Sequence, residues 1–399
     1  MATGVTAAPD KSAFTYTDSL FSYLPRADQR RWAGAYLLGL LTVDGKKTVR
    51  NLAAAVTDSP TASQSLHQFI NSSPWDWAPA RKTLAARAER AMAPLAWTID
   101  VALLRKRGPH SCGVHRRFIS STGRSAVCQL GVGVFLTNAS IAVPVNWELL
   151  LPGRWESDPE LRHRTRVPED VHAPTVEQAV LRAIDIVGGG RTGGTLPIVA
   201  DLSTCNEAER VVQHLSRRGL HYMVAVPDSF RVVLGRRPGR VASTGHGLAV
   251  SARSLFQFGA GDLFTVEPFP PTAAGNTSDT FMVGRVGVPG LSAERAPESH
   301  LLFAVRGRDT LQPKKIWLTS LAPSSPEERS VLLGTPWHAQ TAMRRMLVDF
   351  GMSDFEGRSY PGWHHHMTMV SAAYAYDVLG AGGGLARHDR RLTGGRSLP

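Results

Sequence analysis

Two stretches decide how this chain is read: Leu95-Ala96-Trp97-Thr98-Ile99-Asp100 and, much later, Leu196-Pro197-Ile198-Val199-Ala200-Asp201. Each is a short apolar run ending in a single carboxylate, the pattern of a buried strand whose last residue reaches the sheet edge. If the two strands are central neighbours in one sheet, Asp100 and Asp201 lie side by side. Such a pair is costly unless a divalent cation or a shared proton relieves the repulsion. Asp100 and Asp201 are therefore the candidate site, and a metal would use both as ligands.

Working outward, Gln129 to Leu136 and Ala139 to Trp147 are apolar runs separated by Thr137-Asn138, which predicts a hairpin after the first strand. Thr175 can cap a helix with Val176, Ala179, Val180 and Ile184 at helical spacing, stopped by the glycines at 188 to 190. After the strand ending at Asp201 come a helix across Glu207 to Arg218 and a strand from Tyr222 to Val226. Three strands, a helix, a strand, a helix and a strand is the order of a ribonuclease-H-like mixed α/β sheet. The Gly188-to-Gly194 run matches G-x-G-x-x-G, but it follows a helix and leads into a strand, the reverse of a dinucleotide site, and is read as a loop.

Before the first strand the chain is helical. Trp32, Tyr36, Leu37, Leu40 and Leu41 mark a core helix, and residues 1 to about 24 read as a frayed lead-in. Val49, Leu52, Ala53 and Val56, then Leu66, Phe69 and Ile70, predict two short helices joined by a turn at Thr57 to Pro60. That unit is either a helix-turn-helix with Lys46, Lys47 and Arg50 near phosphates, or two helices of an ordinary bundle. Trp75 to Ala93 is a further amphipathic helix. Arg105-Lys106-Arg107 through Arg116-Arg117 is too polar for a core and reads as a loop or hairpin edge, either phosphate-binding or simply solvated. Leu151 to Pro174 reads as a surface excursion. The domain expectation is a helical, DNA-binding-type region over 1–94, the first part of the ribonuclease-H-like domain over 95–228, a β-rich insertion over 229–330, C-terminal helices completing that domain over 331–380, and a disordered basic tail over 381–399.

The bulk composition narrows the function classes. Forty-five Lys and Arg against thirty-three Asp and Glu give a formal charge of +12, which favours a polyanionic partner such as DNA. The three cysteines, Cys112, Cys128 and Cys205, have neither the count nor the spacing of a disulfide framework or a zinc site. No apolar run approaches a membrane span, and no leader pattern opens the chain. These features point to a cytoplasmic protein with no membrane partner; a homodimer is left open.

Several stretches together resemble the bacterial insertion-sequence transposases of the DDE type, in particular the insertion-sequence 701 group. They are Gln29-Arg30-Arg31-Trp32-Ala33 with Tyr36 to Leu41, His110-Ser111-Cys112-Gly113-Val114, Cys128-Gln129, Leu150-Leu151-Pro152 with Trp155 and Asp158, Val167-Pro168, Phe355-Glu356-Gly357-Arg358-Ser359, and Trp363-His364-His365-His366. Each is weak singly; their shared order is specific. The resemblance implies DNA strand transfer by two Asp and one Glu holding a pair of Mg²⁺ or Mn²⁺ ions. Asp100 and Asp201 match the two aspartates.

The family's Glu lies in a C-terminal helix within a pattern of Tyr, Arg, Glu and Lys. Anchored on Trp337 and Phe355-Glu356-Gly357-Arg358, the four positions fall on Leu333, Pro336, Gln340 and Leu347. Gln340 therefore stands at the Glu position, and a neutral amide is a poor ligand for Mg²⁺. The resemblance thus implies a transposase-like protein defective in metal-dependent strand transfer, with no metal at all if the site is degenerate. Two alternatives remain at this point. One is an enzyme that uses the Asp pair as acid and base on a small-molecule substrate, with Cys205 and His110 as further candidates. The other is a DNA-binding regulator without catalysis. Adjacent residues on a helix point in different directions, so His364 to His366 are not expected to chelate one ion.

Overall fold

The first apolar run folds as the strand Ala96–Arg105 (β1) and the second as Ile198–Asp201 (β5). They pair in parallel, with Trp97 opposite Ile198 and Ile99 opposite Ala200. The computed structural model describes residues 11–119, 122–188, 196–234, 249–258, 264–270, 279–291, 299–306, 315–322 and 324–380. The tail read as disordered and most of the Gly188-to-Gly194 run lie outside these residues.

Between the two strands run His115–Ile119 (β2), Arg124–Thr137 (β3) and Ala142–Leu149 (β4). β3 is antiparallel to β1 along all of β1, with β2 beside its first part and β4 beside its second. Beyond β5 comes Tyr222–Val226 (β6), parallel to it. The order β4-β3-β1-β5-β6 is the ribonuclease-H-like arrangement that the order of elements predicts.

The β-rich insertion adds its strands to this same sheet. Arg231–Val233 (β7) and Ala249–Ser251 (β8) form a small separate pair. Thr265–Pro268 (β9), Thr280–Val286 (β10), His300–Arg306 (β11) and Ile316–Thr319 (β12) extend the main sheet, β12 running antiparallel to β6 and the others following outward. Both faces of the central strands are buried, and successive side chains alternate between two cores as period-2 strands require. Trp97, Ile99, Ile198, Ala200, Val224 and Leu318 join the main core; Ala96, Val199, Met223, Ala225, Phe303 and Trp317 form a second core on the opposite face.

Five helices precede β1: Lys11–Phe21 (α1), Ala27–Thr42 (α2), Val49–Val56 (α3), Ala62–Asn71 (α4) and Ala78–Met92 (α5). The Thr48 hydroxyl caps α3 by accepting from Asn51 N. The frayed lead-in is corrected: Ala13, Tyr16, Leu20 and Leu24 are buried, and Tyr16 Oη donates to Ala372 O. Their spacing of three and four residues is helical, hidden beneath a Ser- and Thr-rich composition.

The surface excursion is corrected too. Arg154–Ser157 (α6) and Pro159–Thr165 (α7) bring Trp155, Leu161, Val167, Val171 and Ala173 into the core. Trp155 Nε1 donates to Val114 O, and the buried Arg162 guanidinium donates to the carbonyls of Trp155, Pro168 and Val171. An arginine that satisfies three backbone carbonyls lets an irregular polar-looking segment pack inside.

Val176–Gly188 (α8), Ala208–Arg217 (α9) and Ala252–Phe258 (α10) follow. Pro326–Asp349 (α11) starts before the 331–380 span expected for the C-terminal helices, from a capping box of Ser325 and Glu328. Pro336 lies inside it; the carbonyl its missing N–H leaves free, Leu332 O, accepts from Thr335 Oγ1 instead. Tyr360–Leu379 (α12) is buried over most of its length, packed against α2, α4, α5 and β4, so one continuous core joins the N-terminal helices to the sheet.

Candidate active site at the carboxylate end of the sheet

Asp100 follows Ala96 and Thr98 on one face of β1, and Asp201 follows Val199 on the same face of β5. Parallel register puts the two carboxylates on neighbouring strands. Across this face lies α11, anchored by Leu332 in the second core. Gln340, about two helical turns beyond Leu332, comes to the aspartates. The charge of Asp201 and the side chain of Gln340 both act on the Asp100 carboxyl, so all three positions meet.

The two carboxylates differ in environment. Asp100 Oδ1 accepts from Val101 N at 2.7 Å, whereas Oδ2 is buried with no hydrogen-bond partner. Gln340 is near enough to lower the Asp100 pKa, although no hydrogen bond of ordinary length joins them. Burial dominates, helped by the Asp201 charge, and pushes Asp100 up to about 6.

Asp201 is held the other way. Oδ1 accepts from Ser203 Oγ at 2.6 Å and Ser203 N at 3.0 Å, while Oδ2 pairs with Lys315 Nζ. Burial works to raise its pKa, but the Lys315 ammonium and the Ser203 hydrogen bonds outweigh burial and hold it below the usual carboxylate range.

Lys315 is the residue that sequence reading misses. It precedes β12, whose Ile316 lies opposite Val226, so the chain enters the sheet two strands beyond Asp201, with β6 between. Trp317 faces the second core, and Lys315, two residues earlier, shares that face. The available signal was Lys314-Lys315 at the mouth of an apolar run; recognising it required knowing that the insertion pairs with β6. Cys205 is buried beside this cluster, and burial with the nearby Glu177 and Asp201 charges pushes its thiol up to about 12, which makes it a poor nucleophile. His110 lies at the surface.

The sequence profile of the DDE superfamily endonuclease family matches residues 19–248, more than half of the chain. The chain belongs to this family. No curated protein matches it. Among solved structures, a cryo-EM structure of the piggyBac transposase synaptic complex with hairpin DNA aligns over 100% of this chain and 79% of that chain. At 10% identity and a TM-score of 0.37, that likeness is too loose to transfer any feature.

DDE superfamily nucleases generally use divalent metals, and the donor set here fits such an ion poorly. Both Asp201 oxygens are engaged, one by an ammonium; Gln340 is neutral; only Asp100 Oδ2 is free. Among the described residues no group of three His, Cys, Asp or Glu could hold a metal.

The basic residues read as phosphate contacts divide. Arg50, Arg105, Arg107, Arg116 and Arg117 are exposed, and exposed Lys46 sits 3.5 Å from Glu356. Two correct the expectation. Lys47 is buried, its Nζ donating to Val43 O and its backbone N to Asp354 Oδ2. Lys106 Nζ donates to Ser353 O and Phe355 O, and burial lowers its pKa to about 8. Their amines serve backbone carbonyls, because the loop before α12 folds over them. His364, His365 and His366 are all buried and point apart, as the helix geometry predicts. They stack respectively on Trp77, Trp75 and Phe355.

Proposed function

We propose that this chain is a DNA-acting protein derived from the insertion-sequence 701 group of DDE transposases whose site no longer supports ordinary two-metal strand transfer. The observation that carries this reading is the Lys315 ammonium on Asp201, with Gln340 at the place where the resemblance calls for Glu. Three carboxylates facing two dications would bring three negative charges. Here two negative charges face one positive, and the Coulomb attraction for Mg²⁺ largely disappears. The +12 charge supports retention of DNA as the partner.

A second reading rests on the unlike environments of the pair. Asp100, poised near 6 with one free oxygen, is suited to hold a proton, while Asp201 stays ionised, an acid and a base side by side for a small molecule. It would use the same residues without metal.

Calorimetric titration with Mn²⁺ tests the main reading. Wild type should show no binding tighter than about millimolar, and Lys315→Met/Gln340→Glu should bind at least ~10-fold more tightly, since it removes the competing cation and restores a third carboxylate. Gln340→Glu alone should not restore transposition, because Lys315, Pro336 and Leu347 remain. Micromolar Mn²⁺ binding by wild type that disappears in Asp100→Ala/Asp201→Ala would overturn the proposal.

A further inference from the structure

From Val101 to Trp147 the chain contains no Asp or Glu, yet it carries Arg105, Lys106, Arg107, Arg116, Arg117 and Arg124. The fold gathers these residues. β1 ends at Arg105, opposite Cys128, and β2 and β3 continue as a two-stranded ribbon, Arg116 to Ile119 against Arg124 to Val127. Register sets its faces: Arg116 opposite Val127 and Phe118 opposite Ser125 on one side, Arg117 opposite Ala126 and Ile119 opposite Arg124 on the other. Arg105, Arg107, Arg116, Arg117 and Arg124 are exposed and form no ion pair with any described residue. Among them stands Phe118, 61% exposed, with Val127 on the same face at 36%.

The ribbon is also well placed. β1, which carries Asp100, runs on to Arg105 opposite Cys128, and the ribbon continues from there, so it projects from the strand pair that holds Asp100, about 17 Å further along. A two-stranded β-ribbon matches the ~12 Å width of the DNA major groove. Unpaired arginines on both faces suit the phosphates lining such a groove, and an exposed aromatic between them suits base edges or thymine methyls.

We propose that the β2–β3 ribbon seats in a groove of duplex DNA, with Arg116, Arg117 and Arg124 on phosphates and Phe118 against the groove floor. This rests on the reading that the chain acts on DNA, and it specifies where the duplex is held. All four of its residues come from one hairpin, so it can be tested without disturbing the core.

The test is fluorescence anisotropy of a labelled duplex a few turns long, titrated with the full chain between ~50 and 200 mM salt. Arg116→Gln/Arg117→Gln/Arg124→Gln should bind at least ~10-fold more weakly, with a salt slope shallower by roughly 2–3. A charge-matched variant elsewhere on the surface, Arg164→Gln/Arg210→Gln/Arg217→Gln, should keep most of the affinity. Phe118→Ala should lose affinity several-fold with an unchanged slope, because no counterion is released at an apolar contact. If wild type binds and the ribbon variant keeps its affinity and slope, or the control loses as much, the ribbon assignment falls while the DNA reading stands. If wild type binds no duplex even at the lowest salt, both fall.

Discussion

Two regions of this molecule gather polar residues inside the fold, and they treat them in opposite ways. Around α12, the buried Arg81 guanidinium makes five hydrogen bonds, to Thr368, Asn146, Trp147 O and twice to His364. His365 sets its two ring nitrogens against Ile70 O and Trp75 O, and the neutral ring donates to one of them; His366 bonds to Tyr36 Oη and Gly351 O. At the carboxylate end of the sheet, Asp100 keeps a bare buried oxygen, and Asp201 is compensated by a half-exposed lysine. The first region is architecture: its basic groups tie the N-terminal helices to α12. The second holds a charge pair that folding alone does not require, and that excess makes it the candidate site.

The largest expected effect breaks the architectural side of this contrast. Arg81→Met should take the donor from Thr368 Oγ1, Asn146 Oδ1 and Trp147 O, costing about 3–5 kcal/mol in urea unfolding. A loss under ~1 kcal/mol would mean that the arginine is replaceable packing. Acid should act on the same region. Burial holds His365 at about 4 and His366 at about 3, below the ordinary 6.5. The unfolded chain therefore binds more protons between those values, so stability is complete above pH 6.5 and declines as pH falls towards 4. His365 alone contributes roughly 3 kcal/mol to that decline. A flat stability profile from pH 7 to 4.5 would show that these rings are reached by water.

How much of this was legible in the sequence depends on range. Asp100 and Asp201 could be picked out because each is a single carboxylate in an apolar run, although only Asp201 ends its strand while β1 continues past Asp100 to Arg105, and the sheet order follows from the succession of runs. Gln340 could be placed by a family pattern along one helix. Lys315 could not, because it reaches Asp201 only through the pairing of β12 with β6, and nothing local specifies a partner strand so far along the chain. Lys47 and Lys106 misled for the converse reason: a basic residue reads as solvent-facing until the loop that covers it is known. Composition similarly hid α1 and the segment around Trp155, whose helical spacing and arginine-bonded carbonyls outweigh their polar appearance.

A smaller effect, of opposite sign, belongs to the site. Asp100 is raised to about 6 from an ordinary 3.8, so the folded chain binds more protons between these values and its ionised form costs stability at high pH. Asp100→Asn should stabilise the protein by about 1–3 kcal/mol at pH 8, with the gain fading as the pH approaches 4. The Val101 N hydrogen bond can persist with an amide oxygen as acceptor. A variant that is less stable at pH 8 would assign Asp100 to the architecture.

The smallest effect sharpens the contrast within one pair of neighbours. Lys46 and Lys47 are adjacent and chemically identical, yet one holds an exposed ion pair with Glu356 and the other is buried against Gly351 with its amine on Val43 O. Lys46→Ala should change stability by no more than ~0.5 kcal/mol, because solvent and salt screen a pair of that kind. Lys47→Ala should cost ~1–3 kcal/mol, from lost packing and an orphaned carbonyl. Urea midpoints at low and high salt separate the two: salt should erase what little Lys46 contributes and leave the Lys47 deficit intact. Equal costs would mean that the loop before α12 does not close over Lys47, and the division between covered and available basic residues would have to be redrawn there.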